Sequence, residues 1–201
     1  MRKLGIVLAA LACLLFVVVP VASAAAFNWG VGANLGFNMF SPDSKYAPAD
    51  KTFTTYGWPT GGLRFSFAGE KPMHEVYLET SLLYTSTQDG PSDHDFLVSG
   101  NYQFNFDMKG PVAPYLTAGV GVDMLGHKPT TGDSYSASSL FYGGGVGIAH
   151  HMGNGCGRLR AELRYDMVSE GNVTVGGVEY RAIDKGGMFG VKLGFDLWDK
   201  K

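Results

Sequence analysis

Between Arg158 and Asp166 five charged side chains, Arg158, Arg160, Glu162, Arg164 and Asp166, alternate with Leu159, Ala161, Leu163 and Tyr165. Successive side chains of a strand point to opposite faces, so the five charges share one face and the apolar residues the other. The same parity argument along the chain adds Arg64, Glu79, Asp123, Lys192 and Asp196 to a charged face, together with Asn34, Asn101, Gln103 and Thr117. Five bases (Arg64, Arg158, Arg160, Arg164, Lys192) stand against five acids (Glu79, Asp123, Glu162, Asp166, Asp196). Buried charges persist only when paired and hydrogen-bonded, so the balance predicts a plug of ion pairs. An ion path would need one sign to predominate. The expected partners are Glu79 for Arg160 and Arg164, and Glu162 or Asp196 for Lys192. Trp58, Leu83, Leu97 and Phe141 fall on the same face near strand ends. They read either as an apolar pocket at a mouth or as a hydrophobic cap over the ion pairs.

Other constellations carry less chemistry. Gly143, Gly145 and Gly147 resemble a phosphate loop in composition, but a strand pattern continues through Ile148 where such a loop needs a helix. Their expected role is to leave room for the neighbouring arginines. His150 and His151 are adjacent, so on a strand they face opposite ways and cannot chelate one ion together. His94 lies beside Asp93 and Asp95, with His127 and Ser134, Ser136, Ser138 and Ser139 further on. A lipid-modifying hydrolase would need hydroxyl, imidazole and carboxylate to converge. Loops rich in Ser and Asp contain such triples without function, and no motif orders them. The reading is therefore not an enzyme, with no catalytic, cofactor or metal site.

The elements that must hold the charged face are strands. Phe27, Trp29, Val31, Ala33, Leu35, Phe37 and Met39 alternate with Asn and Gly. Seven further rows follow, from Gly61 to Phe67, Val76 to Tyr84, Phe96 to Phe106, Leu116 to Met124, Leu140 to Ile148, Leu159 to Met167 and Phe189 to Leu197. None of these rows carries a charge, as a lipid-facing surface requires. A soluble barrel with this polarity would expose its apolar face to water. Connectors near 69–73, 107–113 and 153–157 are tight, whereas those near 40–57, 85–94, 125–138 and 168–187 are long and polar. Short periplasmic turns alternating with long outer loops belong to an outer-membrane barrel. The fold class is thus all-β, an eight-stranded antiparallel up-and-down transmembrane β-barrel. Trp29, Tyr84, Phe106, Tyr115 and Trp198 stand near strand ends and suit interfacial girdles.

Residues 1–24 read as a signal peptide: Met1-Arg2-Lys3, an apolar run from Leu4 to Val19, then small residues to a cleavage point after Ala24. Residues 25–201 form the barrel domain, with Cys156 as its single cysteine and hence no internal disulfide. Loss of two bases with the leader leaves 14 against 18 acids, a formal charge of −4. A mildly acidic chain without basic runs offers no footprint for nucleic acid. After residue 24 no apolar stretch is long enough for a spanning helix.

The segments Pro114-Tyr115-Leu116-Thr117-Ala118-Gly119-Val120-Gly121, Phe141-Tyr142-Gly143-Gly144-Gly145-Val146-Gly147 and Ala161-Glu162-Leu163-Arg164-Tyr165-Asp166 resemble strands five to seven of the OmpA, OmpX and OmpW group of small outer-membrane barrels. The resemblance spans nearly the whole mature chain. It implies the Gram-negative outer membrane, contact with lipid and lipopolysaccharide, and insertion by the barrel-assembly machinery. The final alternating set ends on Leu197 followed by Trp198 where that group usually ends on an aromatic residue, and no peptidoglycan-binding domain of the OmpA type is expected. The functional expectation is a structural or surface-interaction barrel, with loops 40–57 and 168–187 meeting any extracellular ligand. The alternatives are a narrow channel or binding barrel for small apolar compounds, similar to OmpW, and then an enzyme acting on lipid A.

Overall fold

The computed structural model describes residues 28–43, 56–69, 73–86, 92–106, 110–128, 130, 134–153, 156–175 and 177–199. The expected signal peptide lies outside them. Ten strands follow one another: β1 (Asn28–Pro42), β2 (Tyr56–Ala68), β3 (His74–Ser86), β4 (Ser92–Asn105), β5 (Val112–Lys128), β6 (Tyr135–His151), β7 (Gly157–Val168), β8 (Gly171–Val175), β9 (Val178–Ile183) and β10 (Gly186–Trp198). Eight of them, β1 to β7 and β10, close into a barrel, while β8 and β9 form a separate two-stranded hairpin. Each barrel strand pairs antiparallel with its sequence neighbour, and closure joins β1 to β10 from Gly30 opposite Trp198 to Pro42 opposite Gly186. Closure leaves the barrel without a free edge strand, which hydrocarbon demands because it offers no water to an unpaired backbone group.

The two faces have the inverted polarity read from the sequence. Leu35, Leu63, Leu116, Tyr142, Val146, Leu163, Leu193 and Leu197 are exposed on the outside. Inside, Asn34, Arg64, Glu79, Asn101, Gln103, Thr117, Arg158, Arg160, Glu162, Arg164, Asp166 and Asp196 are buried. Among the described residues no helix is long and apolar enough to cross a membrane.

Three expectations change. Tyr115 is buried in the lumen rather than set in an outer girdle, because it has the odd parity of Thr117 on β5. Trp198 has the inward parity of Asp196, and its ring lies under the Arg158 guanidinium at 4.7 Å. Trp29 and Phe106 are exposed on the outer face, and the side chain of Tyr84 lies outside the described residues. The long connectors are also shorter than their polarity suggests, since β3 and β4 pair as far as Ser86 opposite Ser92 and β5 and β6 as far as His127 opposite Tyr135. Polar residues continue a ladder once it leaves the lipid, because only the apolar demand ends there and not the hydrogen bonding.

Candidate functional site

The lumen is built by β7, which alternates charged residues inward, facing the small inner residues of β6. Arg164 stands opposite Gly145, Glu162 opposite Gly147 and Arg160 opposite Ala149. A Cβ at Gly145 would come within 2.4 Å of the Leu163 carbonyl oxygen and 3.1 Å of the Arg164 Cα, and one at Gly147 within 2.3 Å of the Tyr115 ring. The glycines therefore make space both for β7 and for a tyrosine from β5. Gly147→Ala should push the Tyr115 ring aside at a cost of about 1–3 kcal/mol. Urea unfolding of the folded protein would measure it.

Around that space the charges form hydrogen-bonded groups, the largest centred on Glu75 and Asp196. Glu75 accepts from Arg64 Nη2 at 2.6 Å and from both terminal nitrogens of Arg158 at 2.7 and 2.9 Å. Arg158 also donates through Nε to Asp196 at 2.8 Å, and Arg160 grips the same carboxylate at 2.7 and 2.8 Å. Arg160 continues to the Asn34 carbonyl at 2.7 Å, and the Asn34 amide donates to Glu79 at 3.1 Å. Lys192 closes this path onto Glu79. A second group joins Arg164 to Asp166 at 2.7 Å and to the Asn101 side-chain oxygen at 2.8 Å. The Tyr115 hydroxyl donates to Glu162 at 3.0 Å, and the Arg64 guanidinium covers the Tyr77 ring at 3.3 Å.

The partners differ from those expected. Glu79 takes Lys192 rather than Arg160 or Arg164, which go to Asp196 and Asp166. Lys192 lies directly opposite Glu162 in the ladder, yet it reaches across from β10 to β3 because the lumen is narrow enough for a lysine stem to span. Asp123 leaves the network altogether, since its neighbours in register are Leu97 and Ser139 and neither is a cation. Glu75, which the sequence reading passed over, takes its place as an acid of the network and, like Asp196, meets two arginines. Its signal was present, because it shares the parity of Tyr77 and Glu79 on β3.

Above the network sits an apolar layer. Leu97 and Phe141 pack with Ala137, Val168, Ile183 and Met188, backed by Phe40, Leu125, Val173 and Ala182. The side chains of Trp58 and Leu83 lie outside the described residues. Val173, Ala182 and Ile183 belong to the β8–β9 hairpin, so part of the segment expected as a free loop folds down over the mouth. The hairpin turns at Gly177, whose φ of 82° is favourable only for glycine among common residues. Between cap and network a cavity of about 20 Å³ remains, lined by Asn38, Glu79, Ser99, Arg164, Asp166 and Lys192 among others. That is room for about one water. The expected segment 40–57 lies mostly outside the described residues.

A closed antiparallel barrel of eight strands, lipid-facing outside and ionic within, defines an outer-membrane β-barrel protein. Residues 9–167 match the family described as "Outer membrane protein beta-barrel domain", and the chain belongs to that family. No curated protein sequence is significantly similar to it. Among solved structures it is similar to Neisserial surface protein A, at 13% identity over 84% of this chain and 96% of that one, with a TM-score of 0.61. Ail, the attachment invasion locus protein of Yersinia pestis, crystallised with the heparin analogue sucrose octasulfate, is 12% identical over 86% and 99%, with a TM-score of 0.57. OprG from Pseudomonas aeruginosa is 13% identical over 88% and 98%, with a TM-score of 0.52. At these identities the likeness is one of fold.

Proposed function

We propose that the protein is a non-enzymatic outer-membrane barrel with a closed lumen that acts through its structure and its outer surface. It would be exported by residues 1–24, inserted by the barrel-assembly machinery and embedded among lipid and lipopolysaccharide. One observation carries the reading: among the described residues buried ion pairs and an apolar cap occupy the lumen, and the cavity described between them holds about 20 Å³. A hydrated ion cannot pass a space that holds a single water. The start of β9, where Val178, Glu179, Tyr180 and Arg181 are exposed on both sides of the strand, is a contact surface that the described residues offer to an extracellular partner. Arg181 is paired with Asp184 at 2.6 Å, and Lys185 lies 3.9 Å from Asp43.

In planar bilayers the purified protein should give no steady conductance, and a stable open level would overturn the closed-lumen reading. The second reading, a barrel for small apolar compounds, draws on the layer of Leu97, Phe141 and Met188 under the hairpin. It requires saturable binding of such a compound that Phe141→Ala alters. The third, action on lipid A, requires an acyl chain gained or lost in lipid A from cells expressing the protein, read by mass spectrometry; we expect no change.

A further inference from the structure

Three polar groups at the outer end of the lumen take no part in the ion-pair network. Asp123 on β5 lies opposite Ser139 on β6 in the ladder, and Asp95 on β4 is two register positions further out, opposite Leu125. All three have lumen-facing parity, which sets Asp95 and Asp123 diagonally on the same face of adjacent strands. Neither has a basic partner among the described residues, and one oxygen of each, Asp95 Oδ1 and Asp123 Oδ1, is buried without any hydrogen bond. Ser139 is 4% exposed, and its Oγ is likewise buried without a partner. The surroundings are apolar: Leu97 stands opposite Asp123, Leu125 opposite Asp95, and Phe141 follows Ser139 on the same face.

Elsewhere in this lumen Glu75, Glu79, Asp166 and Asp196 each meet a base, and Glu162 accepts from the Tyr115 hydroxyl. Two carboxylates set diagonally on one face in an apolar setting repel and lose solvation, and a buried hydroxyl with no partner adds to the cost. A cation between them would remove all three penalties at once. The donors are all oxygen, the set chosen by hard divalent ions rather than by zinc or copper, with water completing the shell.

We propose that Asp95, Asp123 and Ser139 form a binding site for a hard divalent cation, calcium or magnesium, at the outer mouth of the barrel. The site joins β4, β5 and β6 beside the apolar cap, so occupancy would tie together the strands on which the cap rests. This proposal is independent of whether the barrel's surface meets a partner.

The test is isothermal titration of calcium chloride, and separately magnesium chloride, into the full-length folded protein. The protein would be refolded free of lipopolysaccharide in a zwitterionic detergent near neutral pH. One site with a Kd on the order of 10⁻⁴ to 10⁻³ M is expected, since only two carboxylates contribute charge. Asp123→Asn should weaken it about tenfold or more. Ser139→Ala should weaken it less, and Asp199→Asn at the opposite end should leave it unchanged. Circular dichroism and heat-modifiable migration establish that each variant is folded. Absence of binding by the wild-type protein, or equal affinity in Asp123→Asn, overturns the proposal. So does a wild-type protein that binds no cation while Asp123→Asn is the more stable, because the two acids would then be sharing a proton.

Discussion

Glu75→Ala is expected to cost about 3–5 kcal/mol of unfolding free energy, the range observed when one partner of a buried ion pair is removed. The reason lies in what remains. Arg64 and Arg158 both have fully or almost fully buried guanidinium groups and both direct nitrogens at this one carboxylate. Arg158 keeps Asp196, and Arg64 keeps Ser66 and the Gln103 carbonyl, so the positive charges stay held in place but lose their nearest compensation. Glu75→Gln preserves the shape and one acceptor and should fall between the two. Urea unfolding from lipid vesicles, followed by tryptophan fluorescence, reads all three proteins. A loss below about 1 kcal/mol for Glu75→Ala would place the residue with exposed ion pairs and remove it from the centre of the network. Asp123→Ala is the contrasting variant, since its carboxylate compensates no arginine.

The sequence carried the fold in the parity of its strands. The alternation of Leu159, Ala161, Leu163 and Tyr165 with five charges is enough to orient β7, and the uncharged rows orient the rest. Parity also contained what was misread: Tyr115 and Trp198 were placed at the membrane interface by residue type, although their odd and even numbers put them in the lumen. Which charge meets which was not legible. Strand tilt and stagger decide which residues share a height in a closed barrel, and those follow from the register of all eight pairings together. Hence Lys192 reaches Glu79 across the lumen instead of its ladder neighbour Glu162, and Glu75, near the periplasmic end of β3, stands level with Arg158 near the same end of β7. The hairpin over the mouth left only a local signal, the Gly176-Gly177 pair between short apolar runs, and its packing onto Phe141 and Leu97 depends on contacts far apart in sequence.

Leu193→Arg is the substitution that separates a lipid-facing wall from a wet one. Leu193 lies midway along β10, opposite Leu35 on β1 and Ala161 on β7, and is 63% exposed. Its neighbours on the same face include Val191 and Phe195, also exposed, so an arginine there has no acid within the wall to meet. At the middle of a bilayer this change costs about 2–4 kcal/mol, whereas on a surface bathed in water it would cost close to nothing. Val178→Arg supplies the internal comparison, because Val178 is 53% exposed at the tip of the β8–β9 hairpin, beyond the barrel wall. Similar exposure with a different solvent should give a large loss at Leu193 and a negligible one at Val178 in the same vesicles. Equal small losses at both positions would mean that the apolar wall does not face hydrocarbon. The buried charges would then need another explanation, because it is the lipid outside that forces the polar half of every strand into the lumen, where the network of Glu75, Asp196 and Glu79 neutralises it.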